Sequence, residues 1–126
     1  MAFGDIGGTL TELILTCKPV SSGTVAIAKG DALKLTGPYT VDNAAADEDA
    51  VFGQALGEAT ANDRAIPVRV RGLCVFAYAG TAPVVDGKTG VTASNTDGKV
   101  KAPASGLGRG INLKVDAAKS QVHVLL

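Results

Sequence analysis

The chain has 126 residues and a formal net charge of zero, from 12 basic and 12 acidic side chains, and 46% of its residues are hydrophobic. This length fits a single domain, and the apolar content argues against a disordered chain. A neutral chain is not typical of nucleic-acid-binding proteins, which are normally basic. Because no apolar run approaches the roughly 18 residues of a membrane-spanning helix, we expect neither nucleic acid nor a membrane as a partner.

The first residues predict an extended arm. The first eight residues show no hydrophobic periodicity and contain Gly4, Gly7 and Gly8, which is typical of a terminal segment outside the core. They also lack the basic start and the apolar centre of a signal peptide. We therefore expect a flexible N-terminal arm over residues 1–12 and a single β-rich domain over residues 13–126.

Alternation of apolar and polar residues predicts β-strands along the rest of the chain. It is clearest in ALKLT, IPVRVRG, INLKVD and QVHVLL, which start at residues 32, 66, 111 and 121. In INLKVD, we expect Ile111, Leu113 and Val115 to face the core, and Asn112 and Lys114 to face solvent. Further candidate strands are Thr9–Thr16, Thr24–Ala28, Ala50–Ala55, Leu73–Ala79 and Lys99–Ala102.

The segments between these strands are typical of turns. Asp86-Gly87 and Asp97-Gly98 supply the positive φ that tight hairpins need. One stretch, VDNAAADEDAVF (41–52), is compatible with a helix capped by Asp42 or Asn43, and equally with a loop or a single turn. Short strands at this spacing predict an all-β fold, either a small antiparallel β-barrel or a β-sandwich.

No combination of residues predicts catalysis, a cofactor or a metal ion. Cys17 and Cys74 lie in apolar runs, so we expect buried free thiols in a reducing cytoplasm. Together with the one histidine, His123, they have no recognised zinc-ligand spacing, and nothing supports a nucleophile pair of Cys74 and His123. We therefore expect a protein that is not an enzyme.

Two glycine-containing segments resemble nucleotide-binding motifs only loosely. Residues 82–89, APVVDGKT, fit a relaxed phosphate-loop pattern. However, Pro83 has no N–H for a phosphate, and the residues that follow predict strand and turn rather than a helix. Residues 106–110, GLGRG, precede a strand and predict a mobile loop. A small nucleotide-binding domain that uses residues 82–89 is a remote alternative.

The charges are unevenly distributed along the chain. Residues 1–63 contain nine acidic and three basic side chains, whereas residues 64–126 contain nine basic and three acidic ones. One interpretation is that the two halves interleave and the charges mix, with Asp47–Asp49 in a solvated loop. The other is that oppositely charged faces join neighbouring subunits, with Asp47–Asp49 opposite the strand that carries Arg69 and Arg71.

Four segments occur in an order that suggests a family. They are IAKGDALKLTGPYTV, EDAVFGQALGEATANDRAIPVRVRGLCVF, GKTGVTASNTDGKVKAPA and the closing KVDAAKSQVHVLL. In this order, and over nearly its whole length, the chain resembles the capsid cement, or head decoration, proteins of tailed bacteriophages. The resemblance implies a β-rich barrel or sandwich and no catalysis.

The resemblance also implies a function and a set of contacts. Proteins of this family bind the outer surface of the icosahedral head as homotrimers and bridge neighbouring major capsid subunits. This implies a location on the virion, after assembly in the host cytoplasm. By analogy, the arm Ala2–Thr11 contacts the shell. An alternative is another phage structural protein, either a head-fibre base or a tail-tube subunit. The candidate capsid or subunit contacts are Ala2, Phe3, Ile6, Leu10, Leu13, Arg69 and Arg71.

Overall fold

The computed structural model describes residues 11–20, 25–44, 46–61 and 64–126. The predicted arm therefore lies outside the described residues, except for Thr11 and Glu12. The described residues form ten β-strands, which confirms the all-β fold, and none of them belongs to a helix long and apolar enough to cross a membrane. The strands are β1 (Leu13–Pro19), β2 (Ala32–Gly37), β3 (Thr40–Asp42), β4 (Gly53–Ala55), β5 (Ile66–Arg71), β6 (Leu73–Ala77), β7 (Thr92–Ala93), β8 (Val100–Lys101), β9 (Ile111–Asp116) and β10 (Gln121–Leu125).

Five strands close into a barrel in the order β1–β3–β2–β4–β5. Strands β2 and β3 form a hairpin that places β3 beside β1. The pair of β1 and β3 is parallel, and the other pairs of the barrel are antiparallel. The predicted alternation in β5 is confirmed, because Ile66, Val68 and Val70 are buried and Arg71 is exposed. The barrel core consists of Cys17, Val25, Ile27, Leu33, Val41, Ala55, Ala59, Ile66, Val68 and Val70.

The remaining strands surround a second apolar core. Strands β6, β10 and β9 form an antiparallel sheet in that order, and β7 pairs with β8. Val122 and Val124 of β10 are fully buried between their exposed or half-buried neighbours, as the alternation in QVHVLL predicts. The second core consists of Ala32, Val51, Cys74, Phe76, Val91, Val100, Val122 and Val124.

The predicted facing of β9 is wrong over its first half. Asn112 is 2% exposed, whereas Leu113 is 50% exposed and Ile111 is also exposed. The cause is an irregularity in the pairing of β9 with β10, between His123 and Val124. An extra residue in one strand of a pair reverses the face on which the following side chains lie. Period-2 alternation cannot anticipate this reversal.

The buried side chain of Asn112 is held by backbone groups of the preceding loop. Its Nδ2 donates to the carbonyl oxygens of Val84, at 2.8 Å, and Gly90, at 3.0 Å. A buried amide without such partners would be strongly unfavourable. Asn112 therefore fixes the loop over residues 83–90 against the edge of β9.

Two other segments differ from the simplest expectation. The stretch 41–52 forms the end of β3 and then turns, and its described residues form no helix. Of the candidate strand Thr24–Ala28, the described residues contribute one isolated bridge, between Ile27 and Ala59. Both segments are rich in alanine or small polar residues, so local propensity is weak and tertiary contacts decide their conformation.

Asp31 joins three loops at one end of the barrel. Its Oδ2 accepts hydrogen bonds from the backbone N–H of Ala28, at 2.9 Å, and from Asn43 Nδ2, at 2.8 Å. Gly98 lies against this carboxylate, and its N–H donates to the Asn43 carbonyl oxygen at 3.0 Å. A Cβ atom at Gly98 would overlap the Asp31 carboxylate. The glycine of the Asp97-Gly98 turn is therefore required by close packing as well as by its φ of 74°.

We predict that Gly98→Ala destabilises the protein much more than Gly87→Ala. Both glycines have a positive φ, near 74° and 79°, so alanine costs about 1 kcal/mol at each. A Cβ atom at Gly87 meets open space, whereas at Gly98 it must displace Asp31, for a total loss of at least about 2 kcal/mol. Urea unfolding of the two variants measures the difference. Equal losses would contradict the packing role of Gly98.

Candidate interaction surface

Arg69, a predicted contact residue, is bound within its own chain. Its Nε donates to Glu12 Oε2 at 2.8 Å. Its Nη1 donates to the carbonyl oxygen of Leu73 at 3.2 Å and to Gln54 Oε1 at 3.4 Å. Arg69 thus connects the start of β1, the barrel and the second sheet. The guanidinium has a structural role that sequence reasoning missed, and its predicted contact with another protein stays a prediction.

Arg71 and Leu13 lie together on an exposed strand pair. They are register partners at the end of the pairing between β1 and β5, and Leu13 is 48% exposed while Arg71 is also exposed. This places two of the predicted contact residues side by side at the surface. The other predicted contacts, Ala2, Phe3, Ile6 and Leu10, lie outside the described residues.

The acidic run is at the surface, as a solvated loop predicts, with Asp47 and Glu48 exposed, and it is also hydrogen-bonded to neighbouring loops. Asp47 Oδ1 accepts a hydrogen bond from the backbone N–H of Asn95 at 2.8 Å. Glu48 Oε1 accepts one from the N–H of Ala104 at 2.8 Å and is also bonded to Lys101 Nζ. The bond to Lys101 is the largest reason why the pKa of Glu48 is lowered. The run therefore fastens its own loop to the β7–β8 hairpin and the segment after it.

Asp49 completes this set of contacts. Its Oδ2 accepts a hydrogen bond from the N–H of Ala46 at 2.9 Å and pairs with Lys34 Nζ at 3.2 Å. The Ala46 N–H and then Lys34 lower the pKa of Asp49. Asp49 thus has partners within its own chain.

The ion pairs show how the two oppositely charged halves meet. Glu12 pairs with Arg69, and Glu48 pairs with Lys101. Both pairs join an acidic residue of the first half to a basic residue of the second half inside one chain. At these positions the charges mix within the fold, as the first interpretation of the asymmetry expects.

Arg109 lies between two adjoining grooves of about 580 and 360 Å³. Its Nη1 donates to the carbonyl oxygens of Val51, at 3.1 Å, and Phe52, and its Nη2 donates to that of Val70. Burial lowers the pKa of Arg109, and the neighbouring charge of Arg71 lowers it further. The larger groove is lined by Lys34, Leu35, Thr36, Asp49, Ala50, Val51, Phe52 and Arg109.

The second sheet presents an apolar outer face to solvent. Its exposed side chains alternate with the buried ones of the second core. Leu125 of β10 lies between Leu73 of β6 and Ile111 of β9. His123 lies on the same face, two residues before Leu125 on β10. The exposed apolar residues that we call the outer sheet face are Val75, Ile111, Leu113 and Leu125.

The phosphate-loop-like segment is occupied by its own carboxylate. Asp86 Oδ1 accepts hydrogen bonds from the backbone N–H groups of Lys88, at 3.0 Å, and Thr89, at 2.8 Å. Asp86 is also bonded to the Thr89 hydroxyl. In a phosphate loop these backbone N–H groups would point at the ligand. Here Asp86 fills the position that an anion would take.

The titratable groups of the described residues form no recognisable reaction centre. Cys17 and Cys74 are free and buried, as predicted, and burial raises the pKa of both thiols. Cys74 pairs with Val124, whereas His123 pairs with Val75. Because neighbouring strand positions face opposite sides, Cys74 and His123 lie on opposite faces of the sheet. No group of three or more His, Cys, Asp or Glu residues in the described ranges could hold a metal ion.

The sequence comparisons identify no relative of this chain. Neither a scan of the chain against protein-family models nor a search of curated protein sequences finds a match. The function of the chain is therefore inferred from the order of its own sequence segments and from its surfaces.

We predict that Arg69→Ala destabilises the fold and that Arg71→Ala does not. Loss of Arg69 leaves Glu12, Gln54 and the Leu73 carbonyl without a shared donor, which costs about 1–3 kcal/mol. Removal of the exposed Arg71 side chain changes stability by less than about 0.5 kcal/mol. Thermal and urea unfolding measure both. A loss of stability in Arg71→Ala as large as that in Arg69→Ala would contradict the structural role assigned to Arg69.

We predict that the hydrogen bonds of Asp86 persist to unusually low pH. Bonds from the Thr89 hydroxyl, the Thr89 N–H and the Lys88 N–H lower the pKa of Asp86 to about 2. A carboxylate with a depressed pKa keeps its acceptor role above that value and loses it as the pH falls through about 2. The amide chemical shifts of Lys88 and Thr89, followed by NMR, should therefore titrate well below pH 4.

Asp86→Asn is the control for this titration, because asparagine keeps an acceptor oxygen but does not titrate. The pH-dependent shifts of Lys88 and Thr89 should disappear in this variant. A midpoint near pH 4 in the unaltered protein would show that the bonds are not formed in solution.

Proposed function

We propose that this protein is a capsid cement protein of a tailed bacteriophage. It binds the outer surface of the icosahedral head as a homotrimer and stabilises the shell by bridging neighbouring major capsid subunits. The proposal rests first on the ordered family resemblance of the four segments. The fold supports it by a further observation. The described residues form an all-β fold whose exposed apolar side chains lie on its outer surface, where another protein could contact them.

The outer sheet face supports an oligomer. Val75, Ile111, Leu113 and Leu125 are exposed large apolar side chains on one sheet. Contiguous exposed apolar residues are typical of protein–protein contacts. In this proposal the partners are further copies of the chain and the major capsid protein, without nucleic acid, a membrane or a cofactor.

The position at which β1 begins supports a contact between the N-terminal residues and the shell. Leu13 starts β1 at the surface, beside Arg71, and the arm Ala2–Thr11 precedes it in the sequence. An extended segment that adds a strand to an exposed edge of the shell protein gains backbone hydrogen bonds. Three such arms in a trimer bind much more tightly than one, because the later contacts are intramolecular.

The proposed location is the outer surface of the virion, reached from the host cytoplasm during assembly. A cement protein needs no chemistry for this role, because its contribution is the sum of many modest contacts between subunits. The protein is therefore proposed to act without enzyme activity.

We predict that the purified protein is a trimer and co-sediments with heads that lack it. Deletion of residues 2–11 should abolish co-sedimentation, because it removes the shell contacts of every subunit. Analytical ultracentrifugation gives the oligomeric state, and circular dichroism checks that the shortened chain is folded, since β1 begins at Leu13.

A monomer that does not bind heads would overturn the proposed function. Unchanged binding of the shortened chain would contradict the assignment of residues 2–11 alone. Rings or polymers that form without heads would instead favour a tail-tube subunit.

A further inference from the structure

Arg109 is a partly buried cation without a countercharge among the described residues. All three of its side-chain hydrogen bonds go to neutral backbone carbonyl oxygens. A guanidinium has five N–H donors, so Nε–H and one N–H of Nη2 have no acceptor within the described part of the chain. Neither group is among the buried polar atoms that lack a partner, and Arg109 lines both grooves, so these N–H groups can be reached by an anion from the groove.

The surrounding charges increase the need for an anion. Arg109 Nη2 donates to the carbonyl oxygen of Val70, the residue before Arg71, and the positive charge of Arg71 lowers the pKa of Arg109. The carboxylate that lines the larger groove, Asp49, is bound to Lys34 and to the Ala46 N–H. In the smaller groove, the carboxylate of Glu48 is bound to Lys101 and Ala104. The described residues thus leave a local excess of two positive charges, on Arg71 and Arg109.

The walls of the grooves indicate what kind of anion fits. The larger groove places the apolar side chains of Leu35, Val51 and Phe52 beside Arg109, and Leu35 is 51% exposed. The smaller groove adds the exposed Leu107. A protein segment with a carboxylate flanked by apolar side chains matches both features, because it supplies the countercharge and covers the apolar walls.

We propose that the grooves beside Arg109 bind an Asp or Glu side chain of the shell protein, flanked by apolar residues, with Arg71 as the second cation. This inference rests on the proposed function for the identity of the partner. The carboxylate takes the open N–H groups of Arg109, and the apolar neighbours cover Leu35 and Phe52. Such a contact fixes the register of each trimer on the shell, because a bidentate guanidinium–carboxylate pair is directional.

A peptide experiment tests the groove without the shell. The probes are N-acetyl-Leu-Asp-Phe amide and the matched N-acetyl-Leu-Asn-Phe amide, added to the whole protein. We expect the aspartate peptide to shift the Arg109 Nε–H and the Val51 and Phe52 amide signals saturably in NMR spectra. We expect at least about tenfold weaker effects from the asparagine peptide, because only a carboxylate pairs with the charge.

Equal shifts from the two peptides, or no shifts, would overturn the carboxylate site. A change in the Arg109 Nε–H signal of the free protein in Asp5→Asn would also overturn it. That result would show that the chain's own N-terminal residues already supply the anion.

A head-binding experiment tests the identity of the partner. We expect Arg71→Glu to weaken binding to heads by about tenfold or more, and Arg109→Lys to weaken it although the charge is kept, because lysine cannot pair with a carboxylate bidentately. Lys119→Glu, in the exposed turn after β9, is the matched charge reversal and should bind like the unaltered protein. Ultracentrifugation and unfolding check that the variants assemble and fold.

The outcomes separate the two proposals. If the unaltered protein binds heads and both arginine variants bind equally well, the inference fails and the proposed function stands. If the unaltered protein does not bind heads, the proposed function and the shell partner fail together, whatever the peptides show.

Discussion

The free edge of β6 depends on two side chains of the barrel, and this contact holds the two cores together. The carbonyl oxygens of Val75 and Leu73 accept hydrogen bonds from Gln54 Nε2, at 2.7 Å, and Arg69 Nη1, at 3.2 Å. Without these donors, each carbonyl shielded from water would cost about 1–3 kcal/mol. Gln54 and Arg69 are register partners on β4 and β5, so one strand pair satisfies both acceptors. Gly53 permits the close pairing of β4 with β5, because a Cβ atom there would lie 2.6 Å from the Arg69 carbonyl oxygen.

This connection decides which arginines are available for other molecules. Arg69 is held by the fold, so the basic side chains at the surface of this region are Arg71 and, in part, Arg109. Arg109 also bridges the two cores, because it bonds to the carbonyl oxygens of Val51, Phe52 and Val70. The junction that keeps the cores in register therefore also carries the unpaired positive charge. A partner bound there would contact both halves of the domain at once.

Sequence reasoning succeeded where a strand obeys a regular period and failed where one residue breaks it. The alternation in β5 and β10 predicts their buried faces correctly. In β9 the irregular pairing with β10 exposes Leu113 and buries Asn112. The roles of Arg69 and Arg109 depend on contacts with residues up to 58 positions away, and a glycine-rich loop around Arg109 gives no local signal of them. The apolar positions of single strands are thus predictable, whereas side chains that join elements are not.

These contacts show that the net charge of zero conceals an uneven distribution of charge over the molecule. A net charge of zero for the whole chain suggests a surface that attracts neither positively nor negatively charged partners strongly. The ion pairs Glu12–Arg69 and Glu48–Lys101, however, neutralise charges within the fold, whereas neither Arg71 nor Arg109 forms an ion pair with a described carboxylate. Since the total is zero, the balancing negative charge lies elsewhere on the molecule. A neutral domain with separated charges orients as it approaches a charged partner, and this orientation weakens as salt screens the field.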